Sequence, residues 1–431
     1  MIIQKKGPLK GIFSVPGDKS ISHRAVMLGA LAKGKTEVDN FLMGEDCLST
    51  ISCFRKMGIH INQDPQNRKV TVYGEGLDGL EHPKETLDVG NSGTTIRLLS
   101  GILCGQNFPS VITGDASIQK RPMGRILVPL KQMGADIESV NNNDCAPLRI
   151  NGPKNGLKGI HYNSPIASAQ VKSCLLLAGL YADGETSVTE PAISRNHTEL
   201  MLSYFGADIK TYENTVTIKP RPLLSGRKIN IPGDISSAAY LIAAALIVPN
   251  SEILIENVGI NPTRDGILKV CNMMGADIEL VNIKEDGGEP SADIIVRHSS
   301  LKGIEIGGTI IPTLIDEIPV IAVLACFAKG KTVIKNAEEL KVKESNRIET
   351  TVKNLSAMGA DVEATEDGMI INGGRPLYGT VIDPKFDHRI AMAFSVAGLM
   401  ADGKTEILNP ECVNISFPGF FEKVSGTVNK L

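Results

Sequence analysis

A chain of 431 residues is too long for one hydrophobic core, and 42% hydrophobic with 22% charged residues excludes a disordered or fibrous protein. A formal charge of −3 argues against a nucleic-acid surface, and no apolar run is long enough for a signal peptide or a bilayer span. The eight Cys are scattered without Cys-x-x-Cys or Cys/His spacing, so no metal site, cofactor or disulfide framework is expected, and the cytoplasm is the expected compartment.

In chain order, the first informative stretch is Pro16-Gly17-Asp18-Lys19-Ser20-Ile21-Ser22-His23-Arg24. Pro and Gly end a strand, Asp18 is a natural N-cap, and Ile21, Ala25, Leu28 and Ala32 recur at helical spacing. The first turn carries Lys19 and Arg24, where free N–H groups and the helix dipole favour anions. A phosphate or carboxylate held by backbone N–H groups, Ser20, Ser22 and two cations would resolve that conflict.

The same opening recurs in altered form. Helices are predicted to start near Lys19, Asn91, Ser168, Asp234, Asp316 and His388. A second helix in each segment ends at Gly, most clearly in Met133-Gly134-Ala135-Asp136, Phe205-Gly206-Ala207-Asp208, Met274-Gly275-Ala276-Asp277 and Met358-Gly359-Ala360-Asp361. Between them run strands opened by Gly34-Lys35-Thr36, Gly184-Glu185-Thr186, Gly330-Lys331-Thr332 and Gly403-Lys404-Thr405. This is an internal repeat in six copies, each a small α/β subdomain. The sixth copy ends near Gly426 without its closing strands, and the N-terminal residues, which include Leu9-Lys10-Gly11-Ile12, are expected to supply them. Two three-repeat domains follow: 19–229, and 1–18 plus 230–431. The chain would cross between them near 15–18 and 227–233, a double connection suited to a hinge.

Second helices are predicted to open at Lys120-Arg121-Pro122, Ser194-Arg195-Asn196-His197 and Lys341-Val342-Lys343-Glu344-Ser345-Asn346-Arg347. In the last, Lys343, Glu344 and Arg347 share a helical face, which also permits a plain Glu344–Arg347 ion pair along the helix. At Asp234, where no cation accompanies it, simple capping is the better reading. Asp316 and Glu344 lie among cations without a need to neutralise them, as proton-transfer groups would, although Asp316 also fits an N-cap with Pro319 in the first turn. Nucleophile-elbow, Walker and dinucleotide fingerprints are absent. The residues alone point to an enzyme acting on polyanionic small molecules.

Six motifs in order, Pro16–Arg24, Gly90-Asn91-Ser92-Gly93-Thr94-Thr95-Ile96-Arg97, Lys120-Arg121-Pro122-Met123, Ala167-Ser168-Ala169-Gln170-Val171-Lys172-Ser173, Lys341–Arg347 and Asp387-His388-Arg389-Ile390-Ala391-Met392, together resemble the EPSP synthases. That resemblance spans essentially the whole chain. It implies a two-domain inside-out α/β barrel of six βαβαββ units, three per domain. It also implies transfer of the enolpyruvyl group of phosphoenolpyruvate to the 5-hydroxyl of shikimate 3-phosphate in the shikimate pathway, by a monomer.

By the same resemblance, Lys19, Gly93, Arg121, Gln170, Arg347 and Arg389 form the phosphoenolpyruvate site. Lys19, Ser20, Arg24, Ser168, Ala169, Gln170, Arg195, Asp316 and Lys343 hold shikimate 3-phosphate, with Ser168, Lys343 and Arg195 on its phosphate. Asp316, Glu344, Lys343, Lys19 and His388 are the implied catalytic groups. The chain departs from many family members at Ala169, where a second Ser is common, at Leu98, where Pro is common, and at Asn414-Ile415-Ser416, which lacks a Lys. These departures resemble the branch that includes glyphosate-tolerant enzymes, although Gly93 is retained. The alternatives are a UDP-N-acetylglucosamine enolpyruvyl transferase, disfavoured because residues 115–125 contain no Cys, and a non-catalytic phosphate-ester binding protein.

Overall fold

The structure, a computed structural model, describes residues 1–425. The predicted helix end near Gly426 lies outside them. The chain divides into two compact units, one of residues 17–231 with 286–289, the other of residues 1–16, 232–285 and 290–431.

In the 17–231 unit the helices Lys19–Leu31, Gly93–Leu103 and Ala169–Gly179 are buried over almost their whole circumference. In the other unit Ile235–Ile247, Ile318–Phe327 and His388–Gly398 are buried in the same way. A helix apolar on every side must lie inside, so each unit packs its three helices against one another with sheets around them. This is the inside-out α/β barrel. Five of the six openings are closed by the side chain of the preceding Asp or Ser: Asp18, Ser92, Ser168, Asp234 and Asp387 each accept a backbone N–H of the first turn.

Among the described residues the strands form six sheets, three in each unit. The repeated pattern is a strand before the inner helix, a parallel strand after it, and an antiparallel hairpin beyond the second helix. In the second repeat these are Leu87–Asp88, Ser110–Thr113, Asp136–Ser139 and Leu148–Asn151. The repeated sequence words are left-handed turns. Gly34, Gly184, Gly330 and Gly403 have φ of +94° to +97°, and Gly134, Gly206, Gly275 and Gly359 end helices at +85° to +108°.

The N-terminus departs from expectation. Ile2–Gln4 pairs antiparallel with Lys404–Ile407 and so joins the sixth sheet, but Lys10–Ser14 pairs parallel with Glu252–Gly259 in the fourth. A single strand therefore closes the sixth sheet, which has three strands. The Leu-Lys-Gly-Ile strand belongs instead beside the inner helix that follows Asp234, the role its counterparts play elsewhere. Lys228–Asn230 performs it for the first repeat, pairing parallel with Lys33–Asp39.

Candidate active site

In the 17–231 unit, Lys19 is the first helical residue and its ammonium lies 2.9 Å from Asp46 Oδ2. One turn later, buried Arg24 donates to the Ser20 carbonyl at 3.0 Å, to Thr198 Oγ1 at 2.7 Å and to Ser173 Oγ at 2.9 Å. Burial brings the Arg24 guanidinium down to about 10, against the pull of Glu199 and Asp18, and still leaves it charged at neutral pH. Arg24 thus stiffens the turn carrying Ser20.

A second group surrounds Gly93. Arg97 donates to Gln170 Oε1 at 2.6 Å, Gln170 donates to Thr94 Oγ1 at 3.3 Å, and Arg121 is held by Asn91 Oδ1 at 2.8 Å. A Cβ on Gly93 would come 3.1 Å from Arg121 Nη1 and 3.0 Å from Arg97 Nη1, so only glycine leaves both guanidinium groups where they are. The structure therefore brings Gly93, Arg121 and Gln170 together. Hydrogen bonds from His23 Nδ1 to Thr50 Oγ1, on to Thr95 Oγ1 and to Ser92 Oγ, each 2.7 Å, tie the Lys19 helix to the cap of the Gly93 helix. Burial, then the Lys19 and Arg24 charges, hold the His23 imidazole well below its ordinary range, so it is neutral. Ser168 caps the next helix, which starts at Ala169, and Arg195 stands two residues before the His197–Phe205 helix.

In the other unit the implied residues converge on Asp316. Its carboxylate receives Arg347 Nη1 at 3.1 Å and lies 3.8 Å from Arg389 and 4.0 Å from Lys343. Arg347, 1% exposed, also donates to Asp387 at 2.8 Å and to Glu344 Oε2 at 2.6 Å. Burial works against its charge, but Asp387, Glu344 and Asp316 together outweigh burial and raise its pKa. Arg389 is raised too, by Asp316, Tyr240, Glu317 and Asp234 against burial. His388, the first residue of its helix, is buried.

Three sequence readings need correction here. The helix starts at Arg347, with Asn346 as its cap, because residues 338–342 form a 3-10 turn; Lys343 and Glu344 precede the helix. The Glu344–Arg347 pair exists, but across the helix start and not along a helical face. Asp316 and Glu344 do neutralise a cation, because both pair with the buried Arg347 guanidinium, which requires counter-charge. Asp316 is not an N-cap either: Glu317 occupies that position and makes no capping bond. At Asp234 the capping reading holds, yet Arg264 Nη2 comes within 3.4 Å of its carboxylate, a cation supplied from a distant loop.

Sequence reasoning gave no site role to Asp46, Arg97, Glu317 or Asp387, since their partners lie 27 or more residues away. Asp387 had a signal, as the acid directly preceding His388 and Arg389.

A family model described as EPSP synthase (3-phosphoshikimate 1-carboxyvinyltransferase) matches residues 3–424. The chain belongs to the EPSP synthase family. It is 57% identical over 420 residues to the 3-phosphoshikimate 1-carboxyvinyltransferase of Desulforamulus reducens, covering 97% of each chain. The solved EPSP synthase of Acinetobacter baumannii superposes with a TM-score of 0.89 at 48% identity, over 98% of this chain and 97% of that one. The enolpyruvyl transferase NikO of Streptomyces tendae shares the fold, with a TM-score of 0.79 at 17% identity over 98% and 96% of the two chains. The EPSP synthase motifs are the segments that carry the clusters around Gly93 and Asp316.

Proposed function

We infer that the chain performs the reaction for which its family is named: phosphoenolpyruvate and shikimate 3-phosphate give 5-enolpyruvylshikimate 3-phosphate and inorganic phosphate. It is a transferase of the shikimate pathway. The observation that carries the reading is the Asp316 cluster, where three cations meet Asp316 and Glu344 in a protein whose relatives bear this name.

The site assignments are part of this proposal. Lys19, Gly93, Arg121, Gln170, Arg347 and Arg389 hold phosphoenolpyruvate; Ser20 and Arg24 hold the shikimate carboxylate; Ser168, Arg195 and Lys343 take its phosphate, with Ala169 beside them. Protonation of the phosphoenolpyruvate methylene carbon makes the neighbouring carbon cationic, and the 5-hydroxyl adds there as Asp316 takes its proton. Loss of a methyl proton and rupture of the carbon–oxygen bond then expel phosphate. Glu344, Lys343, Lys19 and His388 are the groups proposed to move the carbon-bound protons. Glu344 is 23% exposed and occupies one edge of Arg347, so a substrate anion reaching that guanidinium would displace the Glu344 carboxylate and release it for proton transfer. Fixed cations lower the barrier further by holding two anionic reactants together in place of water. The protein is proposed to work as a monomer in the cytoplasm.

Phosphate release with both substrates, and with each omitted, tests the reading. Release only when both are present, with an enolpyruvyl ester in the product, is the expected result. A protein that binds shikimate 3-phosphate and releases nothing would be a binding protein, and turnover with UDP-N-acetylglucosamine would reassign the acceptor.

A further inference from the structure

Three charged side chains in the 17–231 unit have no part in the reaction above and are among the most deeply buried. Lys172, on the Ala169–Gly179 helix, is 3% exposed, and its ammonium lies 2.9 Å from Glu190 Oε2 and 2.8 Å from Glu199 Oε1. The two carboxylates are 3% and 6% exposed. A buried triad of this kind adds little to stability over an apolar side chain of the same volume, so folding alone does not account for it.

What the triad does is reach outward. Glu190 Oε1 accepts the backbone N–H of Ser168 at 2.7 Å, and Glu190 Oε2 accepts the Ser194 hydroxyl at 2.7 Å, beside Arg195. Lys172 also donates to the Ser194 carbonyl at 3.4 Å. One carboxylate thereby fixes the helix cap and the turn that carry Ser168 and Arg195, and Lys172 supplies the charge that lets this carboxylate stay buried. At the far end, Glu199 is the strongest favourable charge acting on Arg24.

We propose that Glu190, held by Lys172, is a positioning residue for the phosphate of shikimate 3-phosphate, setting the separation of Ser168 and Arg195. This rests on the assignment of that phosphate to Ser168 and Arg195 above. Glu190 does not touch the substrate; it fixes the groups that do.

The test compares the full-length wild type with Glu190→Ala and Glu190→Gln, varying each substrate with the other saturating. Misplacement of the cap and turn in Glu190→Ala raises KM for shikimate 3-phosphate roughly tenfold or more. KM for phosphoenolpyruvate and kcat stay within about twofold. Glu190→Gln keeps a carbonyl oxygen for the Ser168 N–H and falls between the two. An unchanged KM for shikimate 3-phosphate, an equal rise in both KM values, or a fall in kcat that tracks a lower Tm would each overturn the proposal. Calorimetric binding of shikimate 3-phosphate without phosphoenolpyruvate gives the same comparison independently of turnover. A wild type that binds the ester but releases no phosphate would therefore reject the transferase reading and leave the positioning test standing.

Discussion

Asp316 shows what a single residue contributes here. Its carboxylate is 13% exposed and faces Arg347, Arg389 and Lys343, and it is the group proposed above to accept the hydroxyl proton. Asp316→Asn keeps the shape and removes that acceptor; turnover falls by about 10²-fold or more while calorimetric binding of shikimate 3-phosphate persists. Loss of binding with turnover intact per bound substrate would make Asp316 a positioning group instead. His23 gives a pH prediction. Its folded pKa lies well below the ordinary 6.5, so only the unfolded chain takes up this proton as pH falls through that value. Stability from this residue is therefore full above about pH 6.5 and declines below it by up to ~1.4 kcal/mol per unit. Urea unfolding at about pH 7.5 and about pH 5.5 should show a smaller acid loss in His23→Gln than in the wild type. Equal losses in the two proteins would mean that His23 is protonated in the fold.

The elements impose a different constraint, because inner helices that pack on one another leave no room between backbones. A Cβ on Gly101, in the Gly93–Leu103 helix, would sit 2.2 Å from the Cys174 carbonyl of the Ala169–Gly179 helix. Gly101→Ala must push the two helices apart, at a cost of about 1–3 kcal/mol. The same shift strains the Arg97–Gln170 bond at the helix openings, so denaturant unfolding should show the stability loss and kinetics a raised KM for phosphoenolpyruvate. A variant with wild-type stability would show that the close approach is not needed. Elements of this kind were largely legible in the sequence, since a glycine forced to positive φ and a cap before an apolar run leave local marks. The openings at Lys19, Ser168 and His388 were readable for that reason. The start at Arg347 was not: Lys343-Glu344-Ser345 keeps helical spacing, and only the Asn346 cap ends the ambiguity.

For the whole molecule, a net charge of −3 gives anionic substrates no general attraction, so recruitment must come from local placement of cations. Lys19 and Lys343 are 19% and 21% exposed, enough to be felt through solvent and screened by salt. Raising potassium chloride from about 50 mM to about 500 mM should increase both KM values severalfold and alter kcat much less. Flat KM values would remove electrostatic recruitment from the account. The sequence could supply the six-copy repeat and the cations, because both are local. It could not supply the buried partners, Asp46 for Lys19, Asp387 for Arg347 and Glu190 for Lys172, since each acid lies on a different element from its cation and the pairs form only when those elements pack together. The central claim is an addition followed by an elimination in which one methylene carbon gains and then loses a proton, and the product formed in D2O tests it most directly. The account predicts deuterium in the enolpyruvyl methylene of the product, by mass spectrometry. Product carrying only protium at that carbon, formed at the normal rate, would contradict it.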